Sequence, residues 1–244
     1  MDTVHLKAPA KINLTLDITG VRDDGYHTMK MIMQSVDLCD LVRIEKTAQG
    51  GIGIACSDPT LPAGEGNIAH RAAAAFFNAV QQSDRNILIH LEKRIPHEAG
   101  LAGGSADAAA VIVGLNELFG TMMTTRQMCK IGLTVGADVP FCIQGGTALA
   151  EGIGELLLPL PSLPKCLILI AKPKTGIKTA ESFRKFDQNG SNRYPDTERA
   201  MGAIVAGDLE GMAAEMCNVL EEVAQVPEIE RIKNACCKTA RWAA

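Results

Sequence analysis

The residues best suited to chemistry lie between Ala99 and Ala109, in the run AGLAGGSADAA. Gly100, Gly103 and Gly104 let the backbone turn tightly and expose consecutive amides without a blocking Cβ. Where such a turn opens a helix, the unpaired N–H groups of the first turn favour an anion. The chemistry this pattern serves is phosphate binding, with the Ser105 hydroxyl on a phosphate oxygen or a bound cation. Asp107 is expected in the first turn of that helix, where a carboxylate is electrostatically comfortable in any case. The run matches neither GxxxxGK[ST], whose lysine is missing, nor GxGxxG. A glycine–serine helix start whose alanines merely permit close packing fits the same residues equally well.

Polar islands at APAKIN, DDGYH and GADVP supply further candidates. Phosphoryl transfer needs positive charge near developing negative charge, and a carboxylate to orient or deprotonate the attacking hydroxyl. Lys11 and Asp138 are of the right types. As isolated residues, a solvated lysine and a helix cap beside Pro140 are the simpler readings. The sequence alone does not bring the two together.

The elements that must position these residues are legible in outline. Val4 to Thr19 carries β-favouring stretches, GVRDDGYH reads as a turn, and Met29–Val36 and Leu41–Glu45 read as two strands. CSDPTLPAGEG is a loop delivering Asn67 as a cap for the helix IAHRAAAAFFNAV. ILIHLE is a strand, the glycine run opens an alanine-rich helix, and a short helix spans Thr125 to Ile131. GADVPFCIQ is a short helix or turn, followed by a strand beginning near Gly146. The proline run from Pro159 to Lys165 marks a boundary. Beyond it, CLILIAKP reads as a buried strand, then helices follow near Thr179–Phe186, Thr197–Ala206 and from Leu209 into Val223. The class is α+β.

With 244 residues, 47% of them hydrophobic, the chain can bury a core without disulfides or a structural metal. That balance excludes intrinsic disorder. A net charge of -4 argues against nonspecific nucleic-acid binding. The eight cysteines form no CxxC pair and read as free thiols, which fits a reducing cytosol. No segment has the apolar length of a membrane span, and the first residues lack the pattern of a signal peptide.

Taken in order, APAKINLTLDI, DDGYH, GEGNIAHRAA, KRIPHEAGLAGGSADAAA, GADVPFCIQGGTALAEGIGE, IAKPKTGIKTAESF and AEMCNVLEEVA resemble the GHMP kinase superfamily. Within it they are similar to the branch whose acceptor is a cytidine-diphospho-methylerythritol. The resemblance implies a two-domain fold, with a ribosomal protein S5 domain 2-like ATP-binding domain over 1–158 and a second domain over 165–244. It implies ATP as donor, Mg²⁺ accompanying the nucleotide, a small-molecule acceptor, no nucleic-acid or membrane partner, and a monomer or weak homodimer in the cytoplasm. Lys11 and Asp138 would be the catalytic pair: Asp138 takes or orients the hydroxyl proton, and Lys11 keeps that aspartate ionised and stabilises charge during transfer. Asn13, on the same strand face as Lys11, would contact substrate. Tyr26 would stack on the cytosine, His27 would bond its polar edge, and Phe183 would cover the opposite face. Pro96, Gly100, Leu101, Ala102, Gly103, Gly104 and Ser105 would form the phosphate loop, with Asn67 on the nucleoside side. Without the resemblance, Tyr26 reads as a boundary aromatic, His27 as a loop histidine, Phe183 as a helix-core anchor and Asn67 as an ordinary cap.

Two departures stand out. Ala102 replaces the first of three glycines usual before the serine, and Glu98 places a carboxylate just ahead of the loop, after His97. The resemblance also implies a GSGPT-like motif beyond Lys233. The final fourteen residues, RIKNACCKTARWAA, carry four basic side chains and no acidic one instead. The second domain is therefore expected to be incomplete. Other readings are a related kinase acting on mevalonate-like or homoserine-like alcohols, and an inactive nucleotide-binding remnant.

Overall fold

The computed structural model describes residues 2–173, 179–224 and 226–239. The architecture is α+β, and its contacts group into two units. The first comprises Met1–Ile12 and Ser35–Gly145; the second comprises Asn13–Gln34 and Gly146–Ala244. Two long strands, β1 (Thr3–Val21) and β2 (His27–Lys46), contribute residues to both. The proline run at 159–165 lies inside the second unit.

In the first unit, the later half of β2 pairs antiparallel with β4 (Ile87–Glu92), from Leu41 opposite Glu92 to Lys46 opposite Ile87. Strand β3 (Ile52–Cys56) adds parallel to β4. Helix α1 (Ile68–Val80) starts where the Asn67 side chain accepts from the Ala69 amide, and it buries Ala69, Ala72, Ala73, Phe76 and Phe77. That i, i+3, i+4 spacing makes one apolar face. Helix α2 (Gly103–Phe119) is apolar around most of its girth and buries ten side chains or glycine positions. It approaches the sheet closely at Gly114, where a Cβ would lie 2.6 Å from Leu6 Cδ1 and 2.8 Å from Ile44 Cδ1. A capping box between Thr124 and Gln127 opens α3 (Thr125–Leu133). Short α4 (Val139–Gln144) follows, packed against α3 so tightly that a Cβ at Gly132 would sit 2.8 Å from Val139 Cγ1.

In the second unit, the first part of β2 pairs antiparallel with β5 (Thr147–Gly152), and β5 with β6 (Leu156–Leu160). The helices are α5 (Thr179–Asn189), α6 (Thr197–Ala206), α7 (Leu209–Ala214), α8 (Glu221–Ala224) and α9 (Pro227–Thr239). Asp196 and Asp208 cap α6 and α7 by accepting from Arg199 and Gly211 amides.

Three expectations are corrected. The two strands foreseen in 29–45 are one continuous β2. CLILIAKP is not a buried strand: residues 161–173 have no regular structure, and Leu167 and Leu169 are exposed. A strand requires a hydrogen-bonded neighbour, and this segment has none among the described residues. The helix foreseen from Leu209 into Val223 breaks after Ala214, because Cys217–Asn218 (β7) pairs parallel with Thr15 and Leu16 of β1. The central KTGIK of the IAKPKTGIKTAESF motif and the last five residues, including Trp242, lie outside the described residues. Cys39, Cys56, Cys129, Cys142, Cys166, Cys217 and Cys236 are free thiols.

Candidate active site

The loop into α2 has a regular backbone alternation. Glu98, Gly100 and Ala102 have φ of 50°, 70° and 55°, while Ala99 and Leu101 between them do not have positive φ. Left-handed residues alternating with right-handed ones are the backbone pattern of anion-binding nests, in which successive N–H groups turn toward one side. The first intrahelical bond runs from Ala106 N to Ala102 O, so the amides of Gly103, Gly104 and Ser105 have no partner within the helix. Leu101 is buried and its carbonyl accepts from Lys11 N at 3.1 Å, which ties the loop to β1 beside the candidate catalytic lysine. Gly103 and Gly104 allow close packing: Cβ atoms there would lie 3.1 Å from Ile95 Cγ2 and 3.3 Å from Ile68 Cγ2. Pro96, His97 and Glu98 are exposed, and His97 lies 3.4 Å from the Asp58 carboxylate.

Lys11 and Asp138 come together. Lys11 Nζ is 3.9 Å from Asp138 Oδ2, with the lysine side chain 7% exposed and the aspartate 34%. Asp138 occupies the cap position of α4, yet its side chain makes no capping bond. Its carboxylate is turned to the lysine instead. Gly136, in the same turn, faces α2: a Cβ there would be 3.9 Å from Ser105 Oγ. Ser105 and the turn carrying Asp138 are thus neighbours. Cys142, one helical turn beyond Asp138, is inert by comparison, since burial, followed by the Asp138 charge, pushes its thiol up to about 12.

Asn67 is 5% exposed and its amide is used within the fold. Its Oδ1 accepts from Ala69 N and its Nδ2 donates to the Pro62 carbonyl, both at 2.9 Å. Through these two bonds Asn67 fastens the 62–67 loop to the start of α1.

Among the residues sequence reasoning missed, the largest group is the buried trio Asp40, Lys93 and Asp107, in which the lysine ammonium bridges both carboxylates. Burial, opposed by Lys93 and abetted by Asp40, raises Asp107 to about 7. The strand-end KR and the early-helix Asp were visible as residues, but only the tertiary register of β2, β4 and α2 joins them.

In the second unit, Gly25 at φ 83° closes the turn from Arg22 to Tyr26. Tyr26 is exposed and His27 is half-buried. The ring lying on Phe183 is that of His27, stacked at 4.7 Å and 20°. Sequence reasoning placed Tyr26 and Phe183 on opposite faces of a base; here the imidazole covers a face of Phe183. His27 Nε2 is held at 2.7 Å by Asp187 Oδ1. Asp187 stands one helical turn from Phe183 on α5, an i, i+4 relation that was readable only with His27 as the known third member. Asn13 lies on β1 two residues beyond Lys11 and is half-buried.

The glycine loop bonded to Lys11 and the Lys11–Asp138 pair lie on the α+β frame of the GHMP kinases, a class of small-molecule kinases. Residues 67–146 match the family described as GHMP kinases N terminal domain. The chain is 46% identical over 235 residues to the 4-diphosphocytidyl-2-C-methyl-D-erythritol kinase of Lachnoclostridium phytofermentans, covering 96% of this chain and 80% of the relative. To the enzyme of the same name from Acetivibrio thermocellus it is 49% identical over 223 residues, covering 91% and 78%. A crystal structure of 4-(cytidine 5'-diphospho)-2C-methyl-D-erythritol kinase superposes with a TM-score of 0.76 at 30% identity, covering 96% of this chain and 83% of that one. The homoserine kinase of Cytophaga hutchinsonii shares the fold, with a TM-score of 0.70 at 18% identity over 98% and 80% of the two chains. The chain belongs to the family of 4-diphosphocytidyl-2-C-methyl-D-erythritol kinases.

Proposed function

We propose that this chain transfers the γ-phosphoryl group of ATP to the 2-hydroxyl of 4-diphosphocytidyl-2-C-methyl-D-erythritol, a step of non-mevalonate isoprenoid precursor synthesis. The observation that carries the reading is the Lys11–Asp138 pair beside a phosphate loop whose Leu101 carbonyl is bonded to Lys11 N. The acceptor oxygen forms the new P–O bond as the bond to the β,γ-bridging oxygen breaks and ADP leaves. Asp138 orients the hydroxyl and takes its proton. An ordinary aspartate is a weak base at neutral pH, so positioning carries more of the effect than proton affinity. The Lys11 ammonium balances the aspartate and the charge that spreads over the transferring group.

The amides of residues 98–105 hold the phosphates, with the Ser105 hydroxyl beside them. The alternating backbone and the amide-lined helix start fit a polyanion, and Mg²⁺ accompanying the nucleotide near the Ser105 hydroxyl would neutralise charge on the phosphates. Tyr26, His27 and Phe183 take the cytosine and Asn13 contacts the acceptor. Base binding on Phe183 then requires the imidazole to move off its ring or to remain as part of the stack.

The test is transfer from labelled ATP with Mg²⁺, comparing the parent chain with Lys11→Ala and Asp138→Ala. Both substitutions should lower kcat by about 10²–10⁴-fold with the fold intact. Parental turnover in either variant, or preferential transfer to mevalonate or homoserine, would overturn the assignment.

A further inference from the structure

Asp40, Lys93 and Asp107 form the most deeply buried charged cluster among the described residues, and no step above uses it. Their side chains are 0%, 6% and 4% exposed. Asp40 comes from β2, Lys93 follows β4 directly, and Asp107 lies in the second turn of α2. The phosphate loop is the chain between the last two.

The bonding connects the two stems of that loop. On the first stem, Asp40 Oδ1 accepts from the amides of Arg94 and Ile95, the latter at 2.8 Å, and Ser57 Oγ accepts from Lys93 N at 2.9 Å. On the second stem, Asp107 Oδ2 accepts from Lys93 Nζ. The same ammonium donates to Asp40 Oδ2. One cation therefore spans both ends of residues 94–106. Ile95, held by Asp40, is the side chain that Gly103 packs against, so the stems also meet through apolar contact.

Stability does not explain the choice of charges. A buried ionic triad is commonly no more stable than apolar side chains of the same volume, because desolvation offsets the attraction. Here the cluster is also incompletely satisfied: Asp107 Oδ1 is buried with no hydrogen-bond partner. What directional charges supply, and apolar packing does not, is a fixed spacing between the elements that bear them.

We propose that Asp40, Lys93 and Asp107 are positioning residues for the ATP phosphates, the Lys93 ammonium setting the separation of the loop stems and so the aim of the amides between them. The proposal rests on the reading of residues 96–105 as the phosphate site. Lys93 itself touches no phosphate in this role.

The test uses the full chain and Lys93→Met, Asp107→Leu and Asp107→Asn, with steady-state kinetics and amide hydrogen exchange. Lys93→Met and Asp107→Leu should raise the KM for ATP about tenfold, with the KM for the cytidine acceptor within about twofold. Asp107→Asn should recover most of the loss, because its amide oxygen still accepts from Lys93. In the nucleotide-free chain, exchange at residues 96–106 should quicken in the first two variants while α1 stays protected. Folded variants with parental ATP KM and parental loop exchange would overturn the proposal. So would a parallel rise in both KM values with a global fall in melting temperature, which a purely structural role predicts. If Lys93→Met does not fold, the Asp107→Leu and Asp107→Asn pair decides. A parent chain that transfers no phosphate would sink the kinase reading, whereas loop exchange would still judge the triad.

Discussion

Ala102 holds a methyl group at φ 55° and ψ 32°, a left-handed conformation that a non-glycine residue adopts at a cost of about 1–2 kcal/mol. Ala102→Gly relieves that cost but adds freedom to the unfolded chain, worth about 0.4–1 kcal/mol in the opposite direction. The net expectation is stabilisation by about 0.5–1 kcal/mol in urea unfolding. Asp107 gives a pH dependence. Its folded-state value of about 7 lies above its ordinary value of 3.8, so the native chain holds this proton more tightly than the unfolded one. Its contribution to stability is therefore full below the ordinary value and is lost as pH rises through about 7. Asp107→Asn should flatten the fall in melting temperature between about pH 4 and pH 7, the window set by its ordinary and folded-state values. Thiol chemistry should separate the cysteines: exposed Cys166 should be alkylated readily at neutral pH, and Cys142 should resist in the folded chain, as read by peptide mass mapping. At this scale the sequence was informative where one residue type has one use. The glycines and Ser105 announced a tight turn into a helix, and Asp138 beside Pro140 announced a cap position. The direction of the Asp138 carboxylate, away from capping and toward Lys11, depends on α4 folding against its neighbours and could not be read from spacing.

Elements were legible where local pattern and tertiary demand agree. Helix α1 has a capping asparagine, an apolar face and a left-handed Gln81 at its end, and its bounds coincide with the run foreseen for it. The failures occur where a partner decides. CLILIA has strand composition but no neighbouring strand among the described residues, whereas the two-residue β7 exists only because β1 accepts it. Gly114 is the clearest case of an element-level constraint hidden in a helical glycine. It permits α2 to lie against Val4, Leu6 and Ile44, and any Cβ would meet Leu6 Cδ1 at 2.6 Å. Gly114→Ala gains helix propensity of about 1 kcal/mol and loses about 1–3 kcal/mol to overpacking. The net expectation is a lower melting temperature, checked by thermal denaturation followed by circular dichroism; a higher one would show that the helix has room to withdraw from the sheet.

For the molecule as a whole, the two units carry different parts of the proposed reaction. The first holds the phosphate loop, the Lys11–Asp138 pair and the Asp40–Lys93–Asp107 triad; the second holds His27, Phe183 and Asp187. β1 and β2 each supply residues to both units, an arrangement that a linear boundary along the chain does not represent. Asp187→Ala removes the acceptor that holds the His27 imidazole, a hydrogen bond worth about 1 kcal/mol, or roughly fivefold in affinity. Its effect should fall on the KM for the cytidine acceptor and leave the KM for ATP near the parental value. Lys93→Met should do the reverse. The two residues share no partner among the described residues, so in kcat/KM their free-energy effects should add to within about 0.5 kcal/mol in the double variant. Additivity would show that donor and acceptor recognition are separately built. A coupling well above that value would mean that the acceptor-side histidine and the phosphate loop respond to each other during the reaction, and the assignment of one substrate to each unit would have to be abandoned.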